Sequence, residues 1–308
     1  MQYKFGNILD TLKEAVVYES DVALEKKPPQ IIFHGFGIEH IPGLVLESII
    51  PNSKAICSEK LPEDTPKEEL IVIFSFEGYE DSQDFYRSCI RNGNEVIFLS
   101  KSKKIKELCK VNKSTFIELN DIKHKELIFL HEIISFINIA INNNLCEKFE
   151  LKELISTISN INFDSLIQQF KEKINDKKIA FISTTKASNI ANAWRIFFNN
   201  IAREEPLFEI FPNVIYYNLE NIIKKDAAIF FINDEESSLT KRKVKHTRES
   251  LTIQSTELLI KGSNALYKAL IPTILGFLIS VDMFYDKNPN GNPFKSDIFD
   301  SFMRNKRF

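Results

Sequence analysis

The strongest constraint on the fold of this chain is a repeated alternation of short, unbroken apolar runs with stretches of helical spacing. The runs QIIF (Gln30–Phe33), Lys54–Cys57, LIVIF (Leu70–Phe74), EVIFL (Glu95–Leu99) and Thr115–Leu119 are four or five residues long and bounded by charged or turn-forming residues. Between them, His40–Ile50, Glu80–Arg91 and Lys103–Cys109 carry apolar residues at helical spacing. LIVIF is apolar throughout, and QIIF, Lys54–Cys57 and EVIFL are apolar after their first residue rather than alternating. They must therefore be buried on both faces, which means a parallel sheet covered by helices on each side. A polar, helix-rich stretch from Lys123 to Asn175 closes this first unit, and strands resume at KIAFIS (Lys178–Ser183), Val214–Tyr217 and AIFFI (Ala228–Ile232). Ser238 to Phe308 reads as mostly helical. The expectation is an α/β chain of two doubly wound parallel-sheet domains, residues 1–150 and 151–308, joined near 145–160, with a helical C-terminal region. In such sheets ligands bind beyond the carboxyl ends of the strands, so the strand-to-helix turns are the places to look.

Composition narrows the partners. Lys and Arg total 40 against 42 acidic residues, a net charge of -2, so no global field draws in nucleic acid or an anionic membrane. The basic run Lys241–Lys245 is a solvated helix face on this reading. Met1–Asp10 has no basic segment leading into an apolar one, which together with four cysteines lacking a CxxC pair points to the cytoplasm. Leu270–Phe284 is interrupted by Pro272, Gly276 and Asp282, too short to span a bilayer, and reads as a core helix. His34 and His40 lack a third ligand nearby, so neither a metal nor another cofactor is expected. Nine glycines are few, and none falls between Gly93 and Gly262. The second half therefore has no glycine-rich loop that wraps phosphate.

Two of the strand-to-helix turns carry a resemblance. His34-Gly35-Phe36-Gly37-Ile38-Glu39 stands where sugar isomerase (SIS) proteins have G-x-G-G-S, and Ser75-Phe76-Glu77-Gly78-Tyr79-Glu80 where they have S-Y-S-G-N-T. Trp194-Arg195 through Phe198-Asn199-Asn200-Ile201-Ala202-Arg203 is similar to W-K-x-x-x-N-E-N-A-K, followed by an aromatic residue and Phe211-Pro212. A long helix through Leu275–Ser280, an acidic turn with Pro289 and Pro293, and a final helix complete the order. The chain thus resembles the bifunctional phosphoglucose/phosphomannose isomerases of the SIS family. That resemblance implies two SIS domains, a homodimer and a sugar-phosphate ligand at Gly35, Gly37, Glu39, Ser75, Glu77, Gly78, Glu80 and His124, the last matching the family's phosphate-region Arg. The family's C-terminal Lys falls near Met303 or Arg304.

The departures from that pattern bear on chemistry. Glu39, Glu77 and Glu80 replace small hydroxyl residues at the phosphate turns, and only Ser75 is kept. A carboxylate about 4 Å from a phosphate charge costs about 4 kcal/mol at an effective dielectric of about 20. The family's catalytic base, the Glu of N-E-N-A-K, corresponds to Asn200, whose amide has no usable proton equilibrium. Its ring-opening His corresponds to Tyr216, mostly a donor at neutral pH. Glu204 or Glu205 stands in for the base only if the alignment slips by one helical turn. Trp194 reads as helix packing. The expected function is a degenerate, non-isomerising SIS protein that binds a carbohydrate derivative or a partner. The alternatives are a working glucose-6-phosphate/mannose-6-phosphate isomerase with a rebuilt site, or an enzyme acting on an unphosphorylated sugar derivative.

Overall fold

The structure is a computed structural model and describes residues 6–16, 22–24, 26–119, 123–213 and 219–294. These residues divide into two compact units. One holds 6–161 with 261–271, the other 162–260 with 272–294.

The N-terminal unit is built on β1 (Ile31–His34), β2 (Ser53–Ile56), β3 (Leu70–Phe74), β4 (Glu95–Ser100) and β5 (Thr115–Glu118), all parallel, in the order β2-β1-β3-β4-β5. Its helices are α1 (Gly6–Val16), α2 (Ile41–Glu47), α3 (Glu80–Asn92), α4 (Lys103–Asn112), α5 (Ile128–Asn142) and α6 (Leu151–Ser159). The unbroken apolar runs are explained by burial on both sheet faces. Ile32, Ile71, Ile73 and Phe98 point into a cluster with Phe85, Tyr86 and Cys89 of α3 and Ile105 of α4. Their neighbours Phe33 and Phe74 face the other way and meet Phe136 of α5 edge-on at 5.3 and 6.4 Å. Gly93 takes the left-handed conformation (φ 87°) that ends α3, and its N–H returns to Cys89 and Ile90.

The C-terminal unit has β6 (Ile179–Ser183), β7 (Leu207–Ile210), β8 (Ala227–Asn233) and β9 (Gln254–Ile260), parallel in the order β7-β6-β8-β9. They are joined to α7 (Phe163–Ile174), α8 (Ser188–Phe197), α9 (Leu219–Ile223), α10 (Ser238–Ser250) and α11 (Ala265–Lys287), whose first residues are counted with the other unit. Ala180, Ile182, Ala228 and Phe230 pack on Ile222 and Val244, while Phe181 and Phe231 pack against Trp194. Trp194 is wholly buried, and its indole N–H donates to the Pro272 carbonyl at 2.8 Å. A Cβ on Gly276, one turn further along α11, would lie 2.5 Å from the Trp194 ring. That glycine is there to admit the indole.

Several expectations need revision. The described part of the stretch from Ser238 is mostly helical as expected, in α10 and α11, but β9 lies between them and was not foreseen, nor was β7. Both are edge strands with polar, half-exposed positions, so neither presents an unbroken apolar run. The strand expected at Val214–Tyr217, the final helix and Met303 and Arg304 lie outside the described residues. The apolar C-terminal helix is longer than expected. Its 23 residues are long and apolar enough to cross a membrane by length and composition, yet 78% of its most apolar window is buried inside the protein, as in a core helix.

Substituting Gly276→Val should therefore lower unfolding free energy by about 1–3 kcal/mol through overpacking against Trp194. Gly6→Ala, with nothing within 4 Å of the added Cβ, should leave it within about 1 kcal/mol. Urea denaturation followed by circular dichroism compares the two.

Candidate functional site

Both sheets reverse their strand order beside their first strand, between β1 and β3 in one unit and between β6 and β8 in the other. At such a reversal the connections leave in opposite directions, and a crevice opens beyond the carboxyl ends of the two strands. The turns singled out from the sequence, after β1 and after β3, flank that point in the N-terminal unit.

The turn after β1 is tightly wound. A Cβ on Gly35 would lie 1.9 Å from the Glu39 carbonyl oxygen, so glycine is required by the chain's own closure. Gly37 has φ 57° and opens a short 3-10 turn, Gly37–His40, that leads into α2. His34 ends β1 wholly buried, stacked on Phe85 with ring centroids 3.5 Å apart, and its Nε2 meets the Ser58 carbonyl at 2.9 Å. Burial drives its pKa down to about 4, helped slightly by His40, so it is a neutral packing residue.

Glu39, only 9% exposed, reaches from this turn to the other, where its Oε1 accepts the Phe76 N–H at 2.7 Å. The Ser75 hydroxyl also bonds the carboxyl. Desolvation pushes the Glu39 pKa up to about 8 against those two hydrogen bonds, and the charge of Glu77 adds to the rise. The charge of Glu39 acts in turn on a second buried carboxyl. Glu132 of α5 is wholly buried, neither of its oxygens has a hydrogen-bond partner among the described residues, and burial followed by the charge of Glu39 holds its pKa well above the usual range.

The turn after β3 is held from several sides. Ser75 is buried; its N–H donates to Leu99 and its Oγ accepts the Tyr79 N–H at 3.3 Å. Gly78 has φ 69°, and a Cβ there would lie 2.6 Å from Ile105 and 2.8 Å from Ser102. Gln83 donates to its carbonyl at 2.8 Å. Glu77 is exposed and paired with Lys101 at 2.7 Å, and the same ammonium sits 4.6 Å from the Phe76 ring centroid. Glu80 is exposed in the first turn of α3. The fold thus gathers Gly35, Gly37, Glu39, Ser75, Glu77, Gly78 and Glu80 at one place but separates the roles of the three acids. Glu39 fills the turn, Glu77 is neutralised by a lysine, and Glu80 meets solvent. His124 lies before α5, 3.7 Å from Glu126, with no hydrogen bond or ion pair to either turn among the described residues.

In the C-terminal unit Asn200 sits exposed on a π-helical turn, Phe198–Ala202, that extends α8, and its amide donates to the Ile196 carbonyl at 2.8 Å. Tyr216 lies outside the described residues. At this unit's own strand reversal, Glu236 Oε1 accepts the Lys186 N–H at 3.1 Å and the Lys186 ammonium donates to the Glu235 carbonyl at 3.2 Å. Sequence reasoning passed over that pair and Glu132. The signal for Glu132 was present, as one acid within the apolar run Ile128–Ile141.

No family profile matches the sequence, and no curated protein resembles it significantly. Solved structures match it along nearly its whole length. A glucosamine-6-phosphate deaminase from Thermotoga maritima is 14% identical, with 95% of this chain and 96% of that one covered and a TM-score of 0.64. A tagatose-6-phosphate ketose/aldose isomerase from Escherichia coli is 9% identical, covering 94% and 89%, at 0.62. The C-terminal domain of a glucosamine-fructose-6-phosphate aminotransferase from Francisella tularensis is 10% identical, covering 90% and 93%, at 0.61. The fold shared with these proteins is the SIS-type pair of parallel α/β units.

The raised carboxyls fix a pH dependence. Between about 4.5 and 8 the folded Glu39 keeps a proton that the unfolded chain has lost, so stability falls as pH rises through that window. The slope is about 1.4 kcal/mol per pH unit for each such proton. Glu132 acts in the same direction. Glu39→Gln should therefore flatten the fall by one proton's worth and Glu39→Gln with Glu132→Gln by about two, as measured by urea denaturation from pH 6.5 to 8, above the range in which buried His34 and His131, with pKa values lowered to about 4, act in the opposite direction.

Proposed function

We propose that the chain is a SIS-family protein that has left phosphosugar isomerisation and acts, as a cytoplasmic homodimer, by binding a carbohydrate derivative or a protein partner. The structural neighbours carry out deamination, isomerisation and amino transfer on sugar phosphates. A fold that hosts three reactions does not select one, so the site must decide.

The observation that carries the reading is the Glu39 carboxyl seated on the Phe76 N–H, with Ser75 beside it. Those are the groups that the family resemblance assigns to a phosphate, and here the chain's own acid holds them. Two further features support it. Asn200 offers an amide where proton transfer needs a base, and that amide is bonded to its own helix. Glu204, one of the two substitute bases with Glu205 under a shifted alignment, is paired with Lys287. The alternative of an enzyme acting on an unphosphorylated sugar derivative calls for raised carboxyls lining an open cleft. Glu39 and Glu132 are instead buried, which weighs against that alternative.

Fructose 6-phosphate should not be converted to glucose 6-phosphate or mannose 6-phosphate at any rate near that of an intact homologue, because the missing base alone is worth about 10²–10⁴-fold. A coupled assay measures this, and an ordinary rate would overturn the proposal. Millimolar fructose 6-phosphate should barely move the melting temperature of the natural chain. In Glu39→Ser, a ligand at ten times its dissociation constant should add about 1.4 kcal/mol of stability. Sedimentation at micromolar concentration checks the dimer.

A further inference from the structure

The two sheets follow the same order up to a point. β2-β1-β3-β4 in the N-terminal unit corresponds to β7-β6-β8-β9 in the C-terminal unit, but among the described residues the first sheet goes on to β5 and the second ends at β9. Burial follows that difference. Five of the six residues of β4 are buried, against two of the seven in β9, and Leu259 of β9 is 48% exposed. What is an interior strand in one unit is a half-uncovered rim in the other. Basic side chains flank this rim on both sheet faces. Glu257 lies on the face that α10 covers, and there Arg248 of α10 pairs with it at 2.6 Å. Lys241 and Lys245 precede Arg248 along the same stripe of α10, at helical spacing. Lys245 meets Glu249 at 3.8 Å with both side chains mostly exposed, which is a weak pairing. Thr256 and Gln254 lie on the opposite face, where Lys173 of α7 reaches Thr256 at 3.1 Å and Lys177 bonds Gln254. Three cations on one face and two on the other thus border a strand whose single acid, Glu257, is already paired.

A basic fringe guards an edge strand against pairing with its own copy, because two such fringes repel. The same fringe admits an acidic strand. Successive side chains of an extended segment point to opposite faces, so acids at neighbouring positions would meet α10 on one side and α7 on the other. The N-terminal unit closes its own sheet in this way: β5 pairs with β4, and its Glu118 meets Lys106 of α4 at 2.6 Å. We propose that the outer edge of β9 takes a fifth strand from a partner protein, an extended segment with acidic side chains on both of its faces. Backbone hydrogen bonds to β9 would hold the segment, and the lysines and arginine beside the rim would select its charge. This goes beyond the proposed function and holds whether or not a carbohydrate derivative binds at the N-terminal turns.

Amide hydrogen exchange of the full-length chain, read by NMR with and without a synthetic peptide, tests it. The peptide carries the β5 sequence from Ser114 to Leu119 between paired glutamates. At millimolar concentration it should slow exchange at alternate amides of β9 and leave β7, the opposite edge of the same sheet, unchanged. Fluorescence anisotropy of the labelled peptide gives its affinity, which should fall as salt is added. Lys245→Glu should weaken binding by about threefold, and Lys245→Glu with Lys177→Glu by about tenfold, at unchanged circular dichroism. The same peptide with lysines in place of its glutamates, or with proline in place of its isoleucine, should not protect β9. Failure of the acidic peptide to protect β9 overturns the proposal. So does equal protection by the proline peptide, which would make the fringe a charged surface without strand addition, or equal protection by a single-stranded oligonucleotide. Slow exchange at every amide of β9 in the chain alone would assign the edge to a second copy or to residues beyond 294, and overturns it as well.

Discussion

The hydrogen bond from the Phe76 N–H to the Glu39 carboxyl ties the end of β1 to the end of β3 at the point where the sheet reverses its strand order. Much of the N-terminal unit's local structure depends on it. Gly35 must lack a side chain so that the turn can close and carry Glu39 inward. Ser75 is buried with its hydroxyl shared between Glu39 and the Tyr79 N–H. Lys101 is drawn to the outer side of the same turn by Glu77 and Phe76. A fold that ordinarily leaves backbone N–H groups free at this crevice here satisfies one internally. The acid that does so is kept mostly neutral by burial.

The C-terminal unit closes its strand reversal by a related device under different physics. There the carboxylate comes from the turn after β8 and takes an N–H of the turn after β6, the reverse of the N-terminal arrangement. Glu236 and Lys186 are at the surface, and the lysine ammonium supplies a countercharge within the same small cluster. Such an exposed, compensated contact contributes at most about 1 kcal/mol and weakens in salt. The contact of the N-terminal unit is buried instead, and desolvation raises the pKa of its carboxyl.

The parallel sheets were legible in the sequence because strands buried on both faces must be apolar throughout, as LIVIF and AIFFI are. Edge strands escape that rule. Gln254–Ile260 buries only some of its side chains and carries Glu257 at its centre, so nothing in its pattern separated it from the helices on either side. At the site, glutamates at the two turns could be seen, but their directions could not. Residue type alone makes Glu39, Glu77 and Glu80 equivalent. They diverge because one lies inside a 3-10 turn beneath a facing N–H, one beside a lysine twenty-four residues away and one on the outer face of a helix. Glu132 was hidden for the opposite reason, since the partner that gives it meaning is about ninety residues distant in the chain.

Trp194 is the chain's only tryptophan, and it stands wholly enclosed by Phe170, Phe181, Phe198 and Phe231 with its indole N–H bound to a helix carbonyl. An indole in such a dry, hydrogen-bonded cage emits at short wavelength and shifts to the red once water reaches it. Tryptophan fluorescence, excited at wavelengths that tyrosine does not absorb, is therefore a spectroscopic signature of the C-terminal core alone. Melting of the N-terminal unit, however complete, has no tryptophan through which to announce itself.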